Sequence, residues 1–95
     1  MAVHAVVLVQ CEIDAIPEAA QAIAEIDGVS EVYSVAGEFD LVAIVRVPTH
    51  EDLAHAIPGG IAKVDGVART ETLIAFQVFS RHDLDRLFSI GFDAG

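Results

Sequence analysis

The chain has 95 residues, enough for one domain with a modest core of its own. Its 5 basic residues face 15 acidic ones, a balance that repels nucleic-acid phosphates and anionic lipid, and Arg46, Lys63, Arg69, Arg81 and Arg86 are too scattered to form a basic stripe. The lone cysteine, Cys11, excludes an intrachain disulfide and fits a reducing compartment, while the apolar run after Met1-Ala2-Val3-His4 lacks a basic lead and is too short to span a bilayer; a soluble cytoplasmic protein without membrane or direct nucleic-acid contacts is expected.

In chain order, Val3 to Cys11 is nearly all apolar and β-branched, the pattern of a strand buried on both faces. Asp14 is placed to cap a first helix, Pro17 is tolerable in its first turn, and Ile16, Ala19, Ile23 and Ile26 share one face, with Glu18, Gln21 and Glu25 outside it. Val29 to Ala36 reads as a second strand, Gly37-Glu38-Phe39-Asp40 as a tight reversal and Leu41 to Val47 as a third strand, so the pair forms an antiparallel hairpin. Thr49-His50-Glu51-Asp52 has the pattern of a capping box and opens a second helix. Pro58-Gly59-Gly60 falls where the middle of that helix should be, and a break or kink is expected after Ile57. Val67 to Phe79 reads as a long last strand. Ser80-Arg81-His82-Asp83 then opens a short tail helix that carries Leu84, Leu87 and Phe88 and stops at Gly91.

These elements repeat. Asp27-Gly28-Val29 returns as Asp65-Gly66-Val67, 38 positions on, and the same offset carries the first strand onto the third and Ile16, Ile23 and Ile26 onto Ala54, Ile61 and Val64. Two strand-helix-turn-strand units, neither able to bury its apolar face alone, predict a ferredoxin-like β-α-β-β-α-β domain of the α+β class, with a four-stranded antiparallel sheet and both helices on one face. The other face is apolar too, because Val6 and Leu8 alternate with Val3, Ala5, Val7 and Val9, and Ile74, Phe76 and Val78 alternate with Leu73, Ala75 and Phe79. A second subunit or the tail helix is needed to cover it.

No catalytic or metal constellation is present in the sequence. Of His4, His50, His55 and His82, the only close pair is five apart, off a shared helix face. There is no Cys-x-x-Cys, no glycine loop for phosphate and no serine flanked by a base and an orienting group. Glu51 and Asp52, like Asp83 and Asp85, read as solvated charges at helix starts, and Cys11 as a core residue. No cofactor is implied. What stands out is polarity within apolar strands: Gly37 and Asp40 in the central hairpin, and Thr70 and Thr72 on one side of the last strand. A carboxylate, two hydroxyls and the N–H groups of a glycine turn suit a zwitterion, although Gly and Asp are also ordinary turn residues and Thr an ordinary strand residue. Asp40 and Thr72 lie outside the expected core, so replacing either is expected to spare the fold.

Val35-Ala36-Gly37-Glu38-Phe39-Asp40-Leu41-Val42, followed by Asp65-Gly66-Val67-Ala68-Arg69-Thr70-Glu71-Thr72, resembles the two hallmarks of the ligand-binding domain of Lrp/AsnC (feast/famine) transcription regulators, over about Val3 to Phe79. The resemblance implies a ferredoxin-like unit that pairs through its sheets into a homo-oligomer of dimers and rings of dimers, with an amino acid or related metabolite bound between dimers by Gly37, Asp40, Thr70 and Thr72. Family regulators usually carry a helix-turn-helix domain ahead of this unit; a first strand starting at Val3 resembles the stand-alone form, and Pro58-Gly59-Gly60 departs from the usual second helix. The leading expectation is a non-catalytic effector-sensing module linked to transcription regulation, able to co-assemble with full-length regulators. Two alternatives stand beside it: a small dimeric ferredoxin-like barrel enzyme such as a cofactor-independent monooxygenase, for which His4, Tyr33 and His82 are sparse candidates, and a purely structural partner of such regulators.

Overall fold

A computed structural model describes residues 2–79 and 81. Four strands, β1 (Val3–Cys11), β2 (Val29–Ser34), β3 (Leu41–Val47) and β4 (Val67–Ile74), form one antiparallel sheet in the order β2-β3-β1-β4. The helices α1 (Ile16–Ala24) and α2 (His50–Ala56) cover one face. This is the ferredoxin-like α+β arrangement expected from the repeat.

The core lies between that face and the helices. Ala5, Val7, Val9 and Cys11 of β1 and Leu41, Ala43, Val45 and Val47 of β3 point into it, and meet Ala19 and Ile23 of α1 and Leu53 and Ala56 of α2. Alternation along β1 and β3 sends Val6, Leu8, Val42 and Ile44 to the opposite face, where they are only partly buried. Tyr33 and Leu73 flank them across the register and are about half exposed. Among the described residues no element covers this apolar face.

The two halves also repeat in detail. Gly28 and Gly66 both take positive φ, 96° and 91°, and each opens onto a bulge: Ser30 is passed over between Val29↔Val45 and Glu31↔Ile44, and Ala68 between Val67↔Cys11 and Arg69↔Gln10. The extra residue shifts the alternation of the strand that follows, turning Arg69 to the open face and Thr70 and Thr72 to the helix side, beside Val9 and Val7.

The second helix begins and ends as its sequence predicts. Thr49 Oγ1 accepts from the Asp52 N–H at 3.2 Å while Asp52 Oδ2 accepts from the Thr49 N–H at 3.2 Å, completing the capping box. The helix stops at Ala56 with Ile57 as its C-cap, and after Pro58-Gly59-Gly60 the chain makes only a 3₁₀ turn over Ile61–Lys63. It is this short turn, not a full helix, that lies against β4.

Three expectations are corrected. Asp14 does not cap α1: the Glu12 N–H is held by the Gly66 carbonyl at 2.9 Å, so Ile13–Ala15 forms a 3₁₀ turn and Ala15 is the N-cap. β2 ends at Ser34, and the reversal runs over the six residues from Val35 to Asp40, closed by the Val35 N–H to the Asp40 carbonyl at 3.0 Å. The last strand ends at Ile74 because its template runs out: the Ala75 N–H still reaches the His4 carbonyl at 2.9 Å, but β1 begins at Val3. Phe76 therefore lies beyond the sheet and is fully exposed. The tail helix expected from Ser80 to Gly91, with Leu84, Leu87 and Phe88, lies outside the described residues.

The three turn glycines should rank by what a methyl group would meet. At Gly66 a Cβ would stand 2.5 Å from the Ala15 Cβ, and at Gly28 2.5 Å from Val47 Cγ1, whereas at Gly37 (φ +146°) it would meet nothing within 4 Å. Gly66→Ala therefore combines backbone strain with a clash that no rotamer relieves, at about 2–4 kcal/mol. Gly37→Ala carries backbone strain alone, about 1–2 kcal/mol. Urea unfolding should give Gly66→Ala as the least stable, then Gly28→Ala, then Gly37→Ala.

Candidate functional site

The two polar motifs meet on opposite flanks of one residue of β1. On one side the Asp40 N–H donates to the Val9 carbonyl at 2.9 Å; on the other, Thr70 is the register partner of Val9, and Thr72 of Val7. Two strand spacings, roughly 10 Å, separate the backbones of Asp40 and Thr70. Gly37 lies at the outer end of the same loop, three residues before Asp40, in a positive-φ conformation that favours glycine. The structure thus brings the hairpin and the start of β4 to one end of the sheet, with β1 between them.

Asp40 has a structural duty that the sequence does not reveal. Its Oδ2 accepts the backbone N–H of Cys11 at 2.8 Å, taking the rung that a continuing β3 would have supplied and so ending the β1–β3 ladder. A carboxylate offers about four lone-pair sites, which leaves Oδ1 available to a ligand. Cys11 is a buried core residue, as expected. Burial, and secondarily the nearby Asp40 charge, raise its thiol pKa above the ordinary 9.0, so it stays protonated and inert near neutrality.

Thr70 and Thr72 face the helix layer, yet Thr70 is only partly buried and Thr72 is exposed. The cause is the early end of α2, which leaves β4 with only a 3₁₀ turn for cover. A small cavity of about 140 Å³ lies there, lined by Ala62, Val67, Ala68, Arg69 and Thr70. A larger cavity, about 470 Å³, lies elsewhere, beside the first Asp-Gly turn and α2, lined by Asp27, Gly28, Arg46, Val47, Pro48, Asp52 and His55. Of its polar lining, Asp52 is held by the capping box and alternation along β3 sends the Arg46 side chain to the open face, which leaves Asp27 and His55. The smaller cavity touches the motif at Thr70.

Sequence reasoning passed over Arg69 and Phe39. The Arg69 guanidinium lies 5.1 Å from the centre of the Phe39 ring, and one of its nitrogens is 3.7 Å from Glu38 Oε1. Both loop residues thus contact β4 across the end of β1. Only the Arg-Thr-x-Thr order in β4 and the Gly-Glu-Phe-Asp order in the loop hinted at this. Among the described residues no group of three or more His, Cys, Asp or Glu is placed to hold a metal ion. No helix among them is long and apolar enough to cross a membrane.

The sheet is ferredoxin-like, and its central hairpin and last strand present Gly-x-x-Asp and Thr-x-Thr at one end. The family model of the Lrp/AsnC ligand binding domain matches residues 4–84, and the chain belongs to that family. TTHA0845 from Thermus thermophilus is similar at 43% identity with a TM-score of 0.78, over 83% of this chain and 99% of that one. AsnC of E. coli is similar at 25% identity with a TM-score of 0.77, over 83% of this chain and 54% of that one. A transcriptional regulator from Neisseria meningitidis, solved in complex with L-Met, shares the fold with a TM-score of 0.73 at 15% identity, over 83% of this chain and 53% of that one. In sequence, an uncharacterized HTH-type transcriptional regulator of Pyrococcus horikoshii is 39% identical over 59 residues, which are 62% of this chain and 39% of that protein. The match thus spans well under half of that relative.

The Asp40 to Cys11 bond changes what substitution at Asp40 should do. Asp40→Ala, expected from the sequence to spare the fold, leaves the Cys11 N–H without its acceptor and should destabilise by about 1–3 kcal/mol. Asp40→Asn retains an amide oxygen in place of the carboxylate and should stay within about 1 kcal/mol of the parent. Urea denaturation of the two variants checks this; an Asp40→Ala protein as stable as the parent contradicts it.

Proposed function

We propose that this chain is a non-catalytic, oligomeric effector-sensing module that binds an amino acid or a close relative between copies of itself, in the service of transcription regulation. The observation that carries the reading is the convergence of Gly37 and Asp40 with Thr70 and Thr72 on the two flanks of Val9 in a domain of this family. In this role the free oxygen of Asp40 takes the ligand ammonium, the Thr hydroxyls take a further polar group, and the N–H groups of the Gly37 turn receive the carboxylate. A concavity of about 140 Å³ is smaller than the roughly 300–1,000 Å³ usual for small-molecule sites. A neighbouring copy supplies the missing wall.

The open sheet face supports the oligomer. Val6, Leu8, Val42 and Ile44 lie side by side, with Tyr33 and Leu73 at their flanks, and an apolar surface of this kind is buried against a second copy in a sheet-to-sheet dimer. Rings of dimers would then bring the hairpin ends together. A full-length regulator of the family is a second partner for the same face. With 10 net negative charges, this chain leaves DNA contact to such a partner and works in the cytoplasm.

A thermal-shift screen of amino acids and their keto-acid relatives tests the reading, with L-methionine the first probe because the Neisseria regulator was solved with it. A ligand at 100 times its dissociation constant should stabilise by about 2.7 kcal/mol. By calorimetry Asp40→Asn should then weaken binding about tenfold or more, as a charge-assisted hydrogen bond worth about 1.5–3 kcal/mol is lost, and Thr72→Val by less. Unchanged affinity in both variants places the ligand elsewhere. Light scattering should find the parent a dimer or a multiple of it and Leu8→Lys a monomer. Leu8 is the informative position because Val7 faces the core and Phe76 lies beyond the sheet.

A further inference from the structure

The loop that carries Gly37 and Asp40 is fixed to the sheet from two directions. At its β3 end it is held by three hydrogen bonds: the Asp40 N–H donates to the Val9 carbonyl, the Val35 N–H to the Asp40 carbonyl, and the Cys11 N–H to Asp40 Oδ2. From the β4 side it is held by one side chain. The bulge at Ala68 makes Arg69 the register partner of Gln10, on the open face. From there its guanidinium passes the end of β1, lies over the Phe39 ring at 5.1 Å and approaches Glu38 Oε1 at 3.7 Å.

We propose that Arg69 is the positioning residue of the effector site, a latch that sets the Gly37–Asp40 loop at a fixed distance from Thr70 and Thr72. The functional consequence rests on the reading above, that these four residues form one site; the latch itself can be tested without any ligand. Arg69 and Thr70 are consecutive, so wherever the start of β4 moves, the Thr hydroxyl on one face and the guanidinium on the other move together. Phe39 and Asp40 are consecutive as well, so a hold on the ring is a hold on the carboxylate. A flexible loop would have to be ordered each time a ligand bound, and holding it in place beforehand removes that cost from the binding step.

The ring contact is the stronger half of the latch. Arg69 and Glu38 are both mainly exposed, and their 3.7 Å approach is long for an ion pair, so solvent screens most of it. A guanidinium stacked on an aromatic face is less dependent on a single distance and less strongly hydrated to begin with.

Hydrogen exchange on the full chain, without ligand, reads the latch directly. The Asp40 and Val35 amides report loop opening, and the Arg46 amide, bonded to the Gly28 carbonyl at 2.7 Å near the other end of β3, reports the rest of the sheet. Arg69→Ala should speed exchange at Asp40 and Val35 about two- to fivefold, the range of one exposed cation–π contact, and leave Arg46 unchanged. Phe39→Leu should do the same, with little added when both changes are combined. Arg69→Lys, which keeps a cation over the ring, should fall between the parent and Arg69→Ala, and Glu38→Gln should stay near the parent. Parent-like exchange at Asp40 in Arg69→Ala overturns the proposal, and so does an equal acceleration at Asp40 and Arg46, which would make Arg69 a contributor to general stability only. If the latch holds but no amino acid binds, it is the effector reading that fails.

Discussion

The structure depends on the hydrogen-bonding capacity of β1. Like β3 it is an inner strand with both edges occupied, here by β3 on one side and β4 on the other, and its alternate residues Ala5, Val7, Val9 and Cys11 form the middle of the core. Everything of functional interest is positioned by one of those two edges. The hairpin loop ends on Val9 and Cys11 through Asp40, and the threonines are set by register against Val9 and Val7. A shift of one residue along either edge would turn the polar groups to the wrong face. The depth at which β1 is buried protects the site geometry against such a slip.

A second constraint is what the helix layer leaves uncovered. The two halves are built alike as far as their Asp-Gly turns and bulges, but α1 has 9 residues and α2 has 7. Pro58 has no N–H to continue α2, and the chain reaches β4 with only a 3₁₀ turn. The start of β4 is consequently open to solvent on the face where Thr70 and Thr72 lie. The repeat therefore supplies the scaffold, and the candidate site occupies a place where its halves differ: the position of Thr70 in the second copy is held by Val32 in the first.

Much of this was legible in the sequence because it is local. The span of β3, the Thr49–Asp52 box, the stop after Ile57 and the helix face of Ala19 and Ile23 depend on residues a few positions apart, and all are present in the structure. The motif residues were legible through resemblance more than chemistry, since a glycine, an aspartate and two threonines are ordinary in turns and strands. What could not be read is non-local. The end of β4 is decided by where β1 begins, and the role of Asp14 by the hold of Gly66 on Glu12. The hydrogen bond from Cys11 to Asp40 joins residues 29 apart, and the Arg69 contact to Phe39 depends on a bulge that no alternation pattern displays.

The central claim is that the hairpin and the start of β4 form one ligand site across β1, and backbone amide NMR during titration with L-methionine and then the other amino acids tests it most directly. The account predicts saturable shifts at Gly37, Glu38, Asp40, Thr70 and Thr72 with one shared dissociation constant. Saturable shifts gathered instead around Asp27, Gly28 and His55, at the larger cavity, would contradict it, as would the absence of any saturable shift across the panel.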